Sequence, residues 1–424
     1  MLLFIYNLLL IVFTILYFPL HLIRLIWVKK YRQSTPARLG FQSIPNFKGQ
    51  DCFWIHSVSV GETQVAGTII KEMKKQFPNA KFIISTITET GQAVAKKTEA
   101  DATFYYPVDL SFLIKPIIKK LSPKAIIIVE TDIWLNLIHS AKKNDIPVYL
   151  VNGKLSQTSQ KRYKQFPKVA KLLTEPFDHF FVQSEAYQER FLEVGVPAEK
   201  LSLSGNIKLD NPPEILSDKD HQNLATQFGL ELDKPILVFG STHAGEEELA
   251  IASMKQIWQK TPDVQCVLVP RHPERFKGVA ELIKAEAIDF NQASQLNDSV
   301  QKKNFLLLDQ MGQLMKFYSL CDIAIVAGSF TPDVGGHNIL EPSFYSKPFI
   351  YGPWIYKQPG FHQMNLEYQA GLQAKPEELS STLQTLLNDP AQQKLLGENG
   401  HKLIQLSKGS THRIVEEIHS LIKR

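Results

Sequence analysis

The chain has 424 residues, 44% hydrophobic and 21% charged, which excludes a disordered polymer and exceeds what one ordinary core accommodates, so two or three domains are expected. A formal net charge of +5 suits a phosphate or an anionic membrane surface and, without a concentrated basic patch, gives no reason to expect a nucleic-acid partner. The three cysteines, Cys52, Cys266 and Cys321, have neither a disulfide framework nor zinc spacing, which favours a reducing compartment.

The amino terminus, "MLLFIYNLLLIVFTILYFPLHLIRLIWVKKYRQ", is apolar to Leu20 and onward to Val28, interrupted by His21 and Arg24, and then turns basic at Lys29, Lys30 and Arg32. It lacks the leading positive charges and the small-residue cleavage site of a secretory signal. Its length suits a spanning helix that leaves the remainder of the chain in the cytoplasm. Asn7, Thr14 and His21 recur every seven residues, so a helix lying in the membrane interface stays open. Residues 1–28 are expected to anchor the protein, spanning or interfacial.

Next comes "IHSVSVGETQVAG", Ile55 to Gly67, in which Val58 and Val60 alternate with Ser57 and Ser59 as in a strand. The following segment has helical spacing, with Val65, Ile69, Ile70 and Met73 on one side. Glu62 therefore falls in the strand-to-helix turn or the first helical turn. There it either complements the positive helix end or lines the crevice where open α/β sheets bind ligands.

The runs "KFIISTIT", "AIIIVE", "PVYLVN" and "HFFVQS" read as buried parallel strands, each followed by polar or helical sequence. A second series follows: "PILVFGST", "VQCVLVPR", "NFLLLD", "IAIVAGSF" and "PFIYG". Between them "GNIKLDNPPEILSDKDHQ" reads as a linker, dividing the chain into residues 29–212 and 213–424. Two doubly wound, Rossmann-like α/β domains facing across a cleft follow from this pattern. Neither G-x-G-x-x-G nor G-x-x-x-x-G-K-[ST] occurs, which removes the main support for dehydrogenase and P-loop readings. Asp218-Lys219-Asp220 spells a D-x-D but sits before a helical pattern, where helix capping explains it.

The second half suits a nucleotide. Ser241, Thr242 and the amides near Gly245 form a small-residue loop at a helix amino terminus, a natural anion site, although Glu246, Glu247 and Glu248 also complement that end. Arg271, His272 and Arg275 follow a strand, where guanidinium groups suit phosphate. "GGHNILEP" offers Asn338, a possible cap, and Glu341, an acceptor for ribose hydroxyls.

Taken together and in order, "HSVSVGE", "ETDIW", "NGKLS", "GNIKLD", "GSTHAGEEE", "PRHPERF" and "GGHNILEP" resemble the 3-deoxy-D-manno-octulosonic acid (Kdo) transferases. The resemblance implies a GT-B glycosyltransferase at the cytoplasmic face of the inner membrane, transferring Kdo from CMP-Kdo to the lipid A precursor (lipid IVA) of lipopolysaccharide. It implies inversion without a metal or other cofactor, an acceptor-binding amino-terminal domain and a donor-binding carboxyl-terminal one. By residue it implies Glu62 as general base, and Glu130 and Lys208 as transition-state groups. It also implies CMP binding by Arg271, His272, Met311, Gly312, Gln313, Asn338, Ile339, Leu340 and Glu341. Otherwise Glu130 reads as a strand-end carboxylate beside an amide, and Lys208 as an exposed linker lysine. The family commonly reads N-A-R-L-S, whereas Gly153 and Lys154 stand here, keeping the charge but not the guanidinium fork; Leu135 likewise follows Trp134 where the family has proline. Two rival functions are a membrane-associated GT-B transferase using a UDP-sugar and a non-catalytic nucleotide-sugar-binding scaffold.

Overall fold

The computed structural model describes residues 2–27, 31–296 and 300–423. Val28, Lys29 and Lys30 lie outside them, as do the side chains of His21, Arg24 and Arg32. The chain divides into two compact units: unit 1 comprises 1–211 with 408–424, and unit 2 comprises 212–407.

Unit 1 contains β1 (Cys52–His56), β2 (Lys81–Thr86), β3 (Ala102–Tyr105), β4 (Ala125–Val129), β5 (Val148–Gly153), β6 (His179–Val182) and β7 (Leu201–Leu203). They form one parallel sheet in the order β3-β2-β1-β4-β5-β6-β7. The apolar runs are continuous because both faces are covered. Cys52 and Trp54 enter the core on one face and Phe53 and Ile55 the core on the other, as the strand period of two requires. The strand order reverses between β1 and β4, and the carboxyl ends of the strands at such a reversal are where open α/β sheets bind their ligands.

The serine–valine alternation after Ile55 is not strand. β1 ends at His56, and α2 (Val60–Gln76), which follows the amino-terminal α1 (Leu2–Trp27), already includes Val60. Glu62 is thus in the first turn of a helix, whose Val65, Ile69, Ile70 and Met73 are buried.

Unit 2 repeats the plan with β8 (Ile236–Thr242), β9 (Gln265–Pro270), β10 (Asn291–Gln292), β11 (Phe305–Leu307), β12 (Ile323–Val326), β13 (Phe349–Tyr351) and β14 (Gly371–Gln373). Its parallel order is β10-β11-β9-β8-β12-β13-β14, reversing between β8 and β12. The D-x-D segment is a cap, as expected: Ser217 Oγ accepts from Asp220 N, and the Asp220 carboxylate accepts from Ser217 N and Oγ.

Three expectations change. The stretch expected as linker is largely folded: Ile207 and Leu209 are fully buried in unit 1, so the division falls after Asn211. The last residues return to unit 1 instead of finishing unit 2, because the helix Ser410–Lys423 buries Ile414, Val415 and Ile418 in the same core as Ile69 and Met73. α1 is docked by its first turns on unit 1. Tyr6 Oη donates to Asp109 at 2.8 Å, and the side-chain amides of Asn7 and Asn136 exchange hydrogen bonds at 3.0 and 3.1 Å. Asn7 is therefore used against protein, and Thr14 donates to Leu10 O within its own helix. Phe4, Leu8, Leu9, Phe13, Ile15 and Leu16 are exposed. Among the described residues no helix is long and apolar enough to cross a membrane.

The return of the carboxyl-terminal helix hangs on Asp210, whose carboxylate accepts from the amides of Gly409 and Thr411 and from Thr411 Oγ1. Asp210→Ala is expected to destabilise unit 1 by about 1–2 kcal/mol, the scale of a lost helix cap. Urea unfolding followed by tryptophan fluorescence measures it; an unchanged midpoint would show that apolar packing alone holds the helix.

Candidate active site

In unit 1 the carboxyl ends of β1, β4 and β5 bring charged side chains together. Glu62 reaches back from the third position of α2: its Oε2 accepts from Val58 N at 2.5 Å and its Oε1 from Ser59 Oγ at 3.1 Å. This is the reach-back half of a capping box, so the helix-end role of Glu62 is real. It is not the whole role, because the carboxylate also sits among other acids. Burial pushes its pKa up, and the nearby Asp132 and Glu130 add to that, against the hydrogen bonds from Val58 and Ser59.

Glu130 follows β4 in the left-handed region, with φ +67°, and Asn152 at the end of β5 has φ +54°. A non-glycine residue held there stores strain, a common property of functional turns. The Glu130 side chain is 4% exposed and gripped by two ammonium groups: Lys208 Nζ lies 2.7 Å from Oε1, and Lys154 Nζ contacts Oε2. Burial pushes this carboxyl up, but Lys208 and Lys154 outweigh it and hold it below the usual glutamate range. Asn152 bridges the group, donating to Glu130 Oε1 at 3.4 Å and accepting from Ile207 N at 3.0 Å. Lys208 is therefore no free linker lysine. A Cβ on Gly61 would lie 3.9 Å from its Nζ, which sets the ammonium beside the start of α2.

An aromatic set supports the loop that carries Glu130 and Asp132. Trp134 Nε1 donates to His56 Nε2 at 2.9 Å, which fixes the tautomer so that His56 Nδ1 donates to Ser85 Oγ at 2.8 Å. Burial pushes fully enclosed His56 down to about 3, so it stays neutral. Tyr106 packs on both rings, with centroids 4.6 Å from His56 and 5.4 Å from Trp134, and donates to Asp109 at 2.7 Å. His56 and Trp134 stand in two of the quoted motifs, but their contact spans 78 residues and no local pattern reveals it.

In unit 2 the sequence-selected residues lie in loops that follow strands. Arg271 and His272 follow β9 and are exposed; Met311, Gly312 and Gln313 follow β11, with Met311 exposed and Gly312 at φ +81°. Asn338 Oδ1 accepts from Leu340 N at 3.2 Å, closing a local turn and not capping a helix, and Asn338 is half-buried. Ile339 and Leu340 are fully buried, so in this segment only Asn338 and Glu341 are partly exposed. The acidic run does more than complement a helix. Glu246 accepts from the amides of His243, Gly328 and Phe330, while Glu247 accepts from Thr242 Oγ1 and pairs with Arg275 at 2.8 Å.

Two Rossmann-like α/β domains, each built on a parallel seven-stranded sheet, are the plan of the GT-B fold. In keeping with it, a Rickettsia africae glycosyltransferase shares the fold at TM-score 0.64 and 15% identity, covering 89% of this chain and 99% of that one. The UDP-GlcNAc 2-epimerase of Neisseria meningitidis does so at TM-score 0.63 and 14% identity, covering 88% and 100%. A family model described as "3-Deoxy-D-manno-octulosonic-acid transferase (kdotransferase)" matches residues 33–211, ending where unit 1 gives way to unit 2. The Haemophilus influenzae 3-deoxy-D-manno-octulosonic acid transferase is 33% identical over 93% of both chains. That of Chlamydia muridarum is 31% identical over 93% of this chain and 91% of its own. The chain belongs to the 3-deoxy-D-manno-octulosonic acid transferase family.

Glu130→Gln is expected to cost about 1–3 kcal/mol at pH 7, less than a fully enclosed ion pair because the lysine side chains are about one-third exposed. A depressed carboxyl contributes stability above its ordinary value of 4.5 and loses that contribution as the pH falls through its folded value. The difference between wild type and variant in chemical denaturation should therefore shrink below pH 4.5. A deficit independent of pH would mean that packing, not charge, accounts for it.

Proposed function

We propose that this Kdo transferase moves Kdo from CMP-Kdo to the lipid A precursor (lipid IVA) with inversion, Glu62 acting as general base. The observation that carries the reading is that Glu62, pushed up by burial and by its acidic neighbours, lies beside the Lys154–Glu130–Lys208 clamp at the strand-order reversal of unit 1. The acceptor hydroxyl loses its proton to the Glu62 carboxylate as its oxygen bonds to the anomeric carbon of Kdo. The bond from that carbon to the phosphate oxygen breaks, and its electron pair leaves with CMP. Direct displacement needs no second carboxylate nucleophile. A base raised toward neutral pH accepts a proton more readily than an ordinary glutamate.

We assign charge compensation to fixed cations in place of a metal: Lys208 and Lys154 in unit 1, and Arg271 with its neighbours for the CMP phosphate. The replacement of the family arginine by Lys154 leaves this clamp intact, since the ammonium reaches Glu130. Met311 to Gln313 are assigned to the base or to backbone contact, and Asn338 and Glu341, the partly exposed ends of their segment, to the ribose.

We further assign the enzyme to the cytoplasmic face of the inner membrane. The exposed apolar side chains in the first half of α1, whose Tyr6 and Asn7 are held by protein, support attachment in the interface of an anionic bilayer. Removal of residues 1–28 is expected to abolish co-sedimentation with anionic vesicles while leaving turnover of detergent-dispersed acceptor measurable. Undiminished vesicle binding would overturn the anchor.

Glu62→Gln is expected to slow single-turnover transfer by about 10²- to 10⁴-fold at saturating substrates, with the fold retained. In wild type the base must be ionised, so the rate should fall as the pH drops through the raised Glu62 value, above the ordinary 4.5. That limb should vanish in the variant. A near-normal rate with a lowered melting temperature would leave Glu62 as a helix cap only.

A further inference from the structure

Two histidines that the proposed reaction leaves unused meet at the strand-order reversal of unit 2. Nε2 of His243, after β8, is 2.8 Å from Nε2 of His337, in the loop after β12, and the rings stack at 5.1 Å. Such a contact requires one nitrogen to carry a proton and the other to accept it. The arrangement is built into the loops. Glu246, 3% exposed, ties both together by accepting from the amides of His243, Gly328 and Phe330. Gly328, at φ +73°, leaves room for His337, since a Cβ there would come within 2.5 Å of the ring.

The surroundings are cationic. Arg271, His272 and Arg275 from the loop after β9 and Lys357 from the segment after β13 all repel protons from His243; Arg271, His272 and Lys357 do so for His337. Burial, ahead of these neighbours, helps push His243 down to about 4 and His337 to about 3. The facing carboxylates are committed, Glu246 to backbone amides and Glu247, which burial pushes up to about 7, to Arg275 and Thr242. This balance favours an anion over a metal cation.

We infer that the His243–His337 pair is an anion receptor that takes up one proton when the anionic group of the nucleotide-sugar arrives. The inference rests on the donor reading above and deepens it. The neutral pair carries one Nδ1–H; with a proton from solvent it carries two while keeping the Nε2–H···Nε2 bond. A bound anion offsets the repulsion from Arg271, His272, Arg275 and Lys357 and stabilises the added charge. The phosphate diester and the Kdo carboxylate share this chemistry.

Calorimetric titration of the full chain without acceptor, in buffers of different ionisation enthalpy, counts the protons. CMP-Kdo binding near pH 7 is expected to take up about one proton, with affinity falling up to about tenfold per pH unit as pH rises. Cytidine should take up none. Uptake with CMP, beyond that of its own phosphate, assigns the phosphate; uptake with CMP-Kdo alone assigns the carboxylate. The double variant His243→Asn, His337→Asn should lose the uptake, leaving any contribution of Glu247, and histidine ring signals in wild type should titrate toward higher pH on binding. CMP-Kdo binding without uptake, or uptake unchanged in the variant, would overturn the inference. Failure of CMP and CMP-Kdo to bind the folded wild type would instead overturn the donor reading beneath it.

Discussion

The grip of Lys154 and Lys208 on Glu130 is the interaction on which the rest of unit 1 depends. A carboxylate 4% exposed is untenable as a lone charge; two ammonium groups make it stable. Because the three residues come from the ends of β4 and β5 and from the turn before Asn211, the clamp fixes the edge of the sheet where the strand order reverses. It also sets the charge around Glu62. The glutamate is pushed up by burial and then by its acidic neighbours while Glu130 is held down, so two neighbouring carboxylates have different proton affinities. That divergence is what the proposed roles require, a base in one and a fixed anchor for cations in the other.

Unit 2 uses buried carboxylates for a different end. Glu246 and Glu247 accept from loop amides, a hydroxyl and a guanidinium, so the loops after β8, β9 and β12 are braced before any ligand arrives. Preorganised cations and N–H donors of this kind contribute to catalysis because they do not have to reorient as charge develops. In unit 1 the aromatic set of His56, Tyr106 and Trp134 plays the corresponding part, and Asp109 links it to Tyr6 of α1, so the docked helix and the active-site loop share one hydrogen-bonded support.

Much of the fold was legible because a doubly covered parallel sheet demands unbroken β-branched runs such as "AIIIVE" and "PILVFGST". The edge strands β3, β7, β10 and β14 escaped, being two to four residues long and without such runs. Prolines drew the linker too early, since Ile207 and Leu209 are core residues inside a polar-looking stretch. The returning carboxyl-terminal helix was unreadable because its partner, α2, lies some 340 residues away in sequence. At the site, Glu62 was legible from its place after a glycine at a strand end, and Glu130 and Lys208 only through the family motifs. Lys154 stands out in the sequence only as a departure from the family. His243, His337 and the aromatic support were not selected, because their contacts join segments far apart in the chain.

The identity of the transferred sugar and of its acceptor decides the function. Mass spectrometry of a lipid A precursor incubated with CMP-Kdo and the purified full chain measures that directly. The account expects the acceptor mass to rise by whole Kdo residues, with CMP released in equal number. Release of CMP with the acceptor mass unchanged, or addition of a hexose from a UDP-sugar instead, would contradict it.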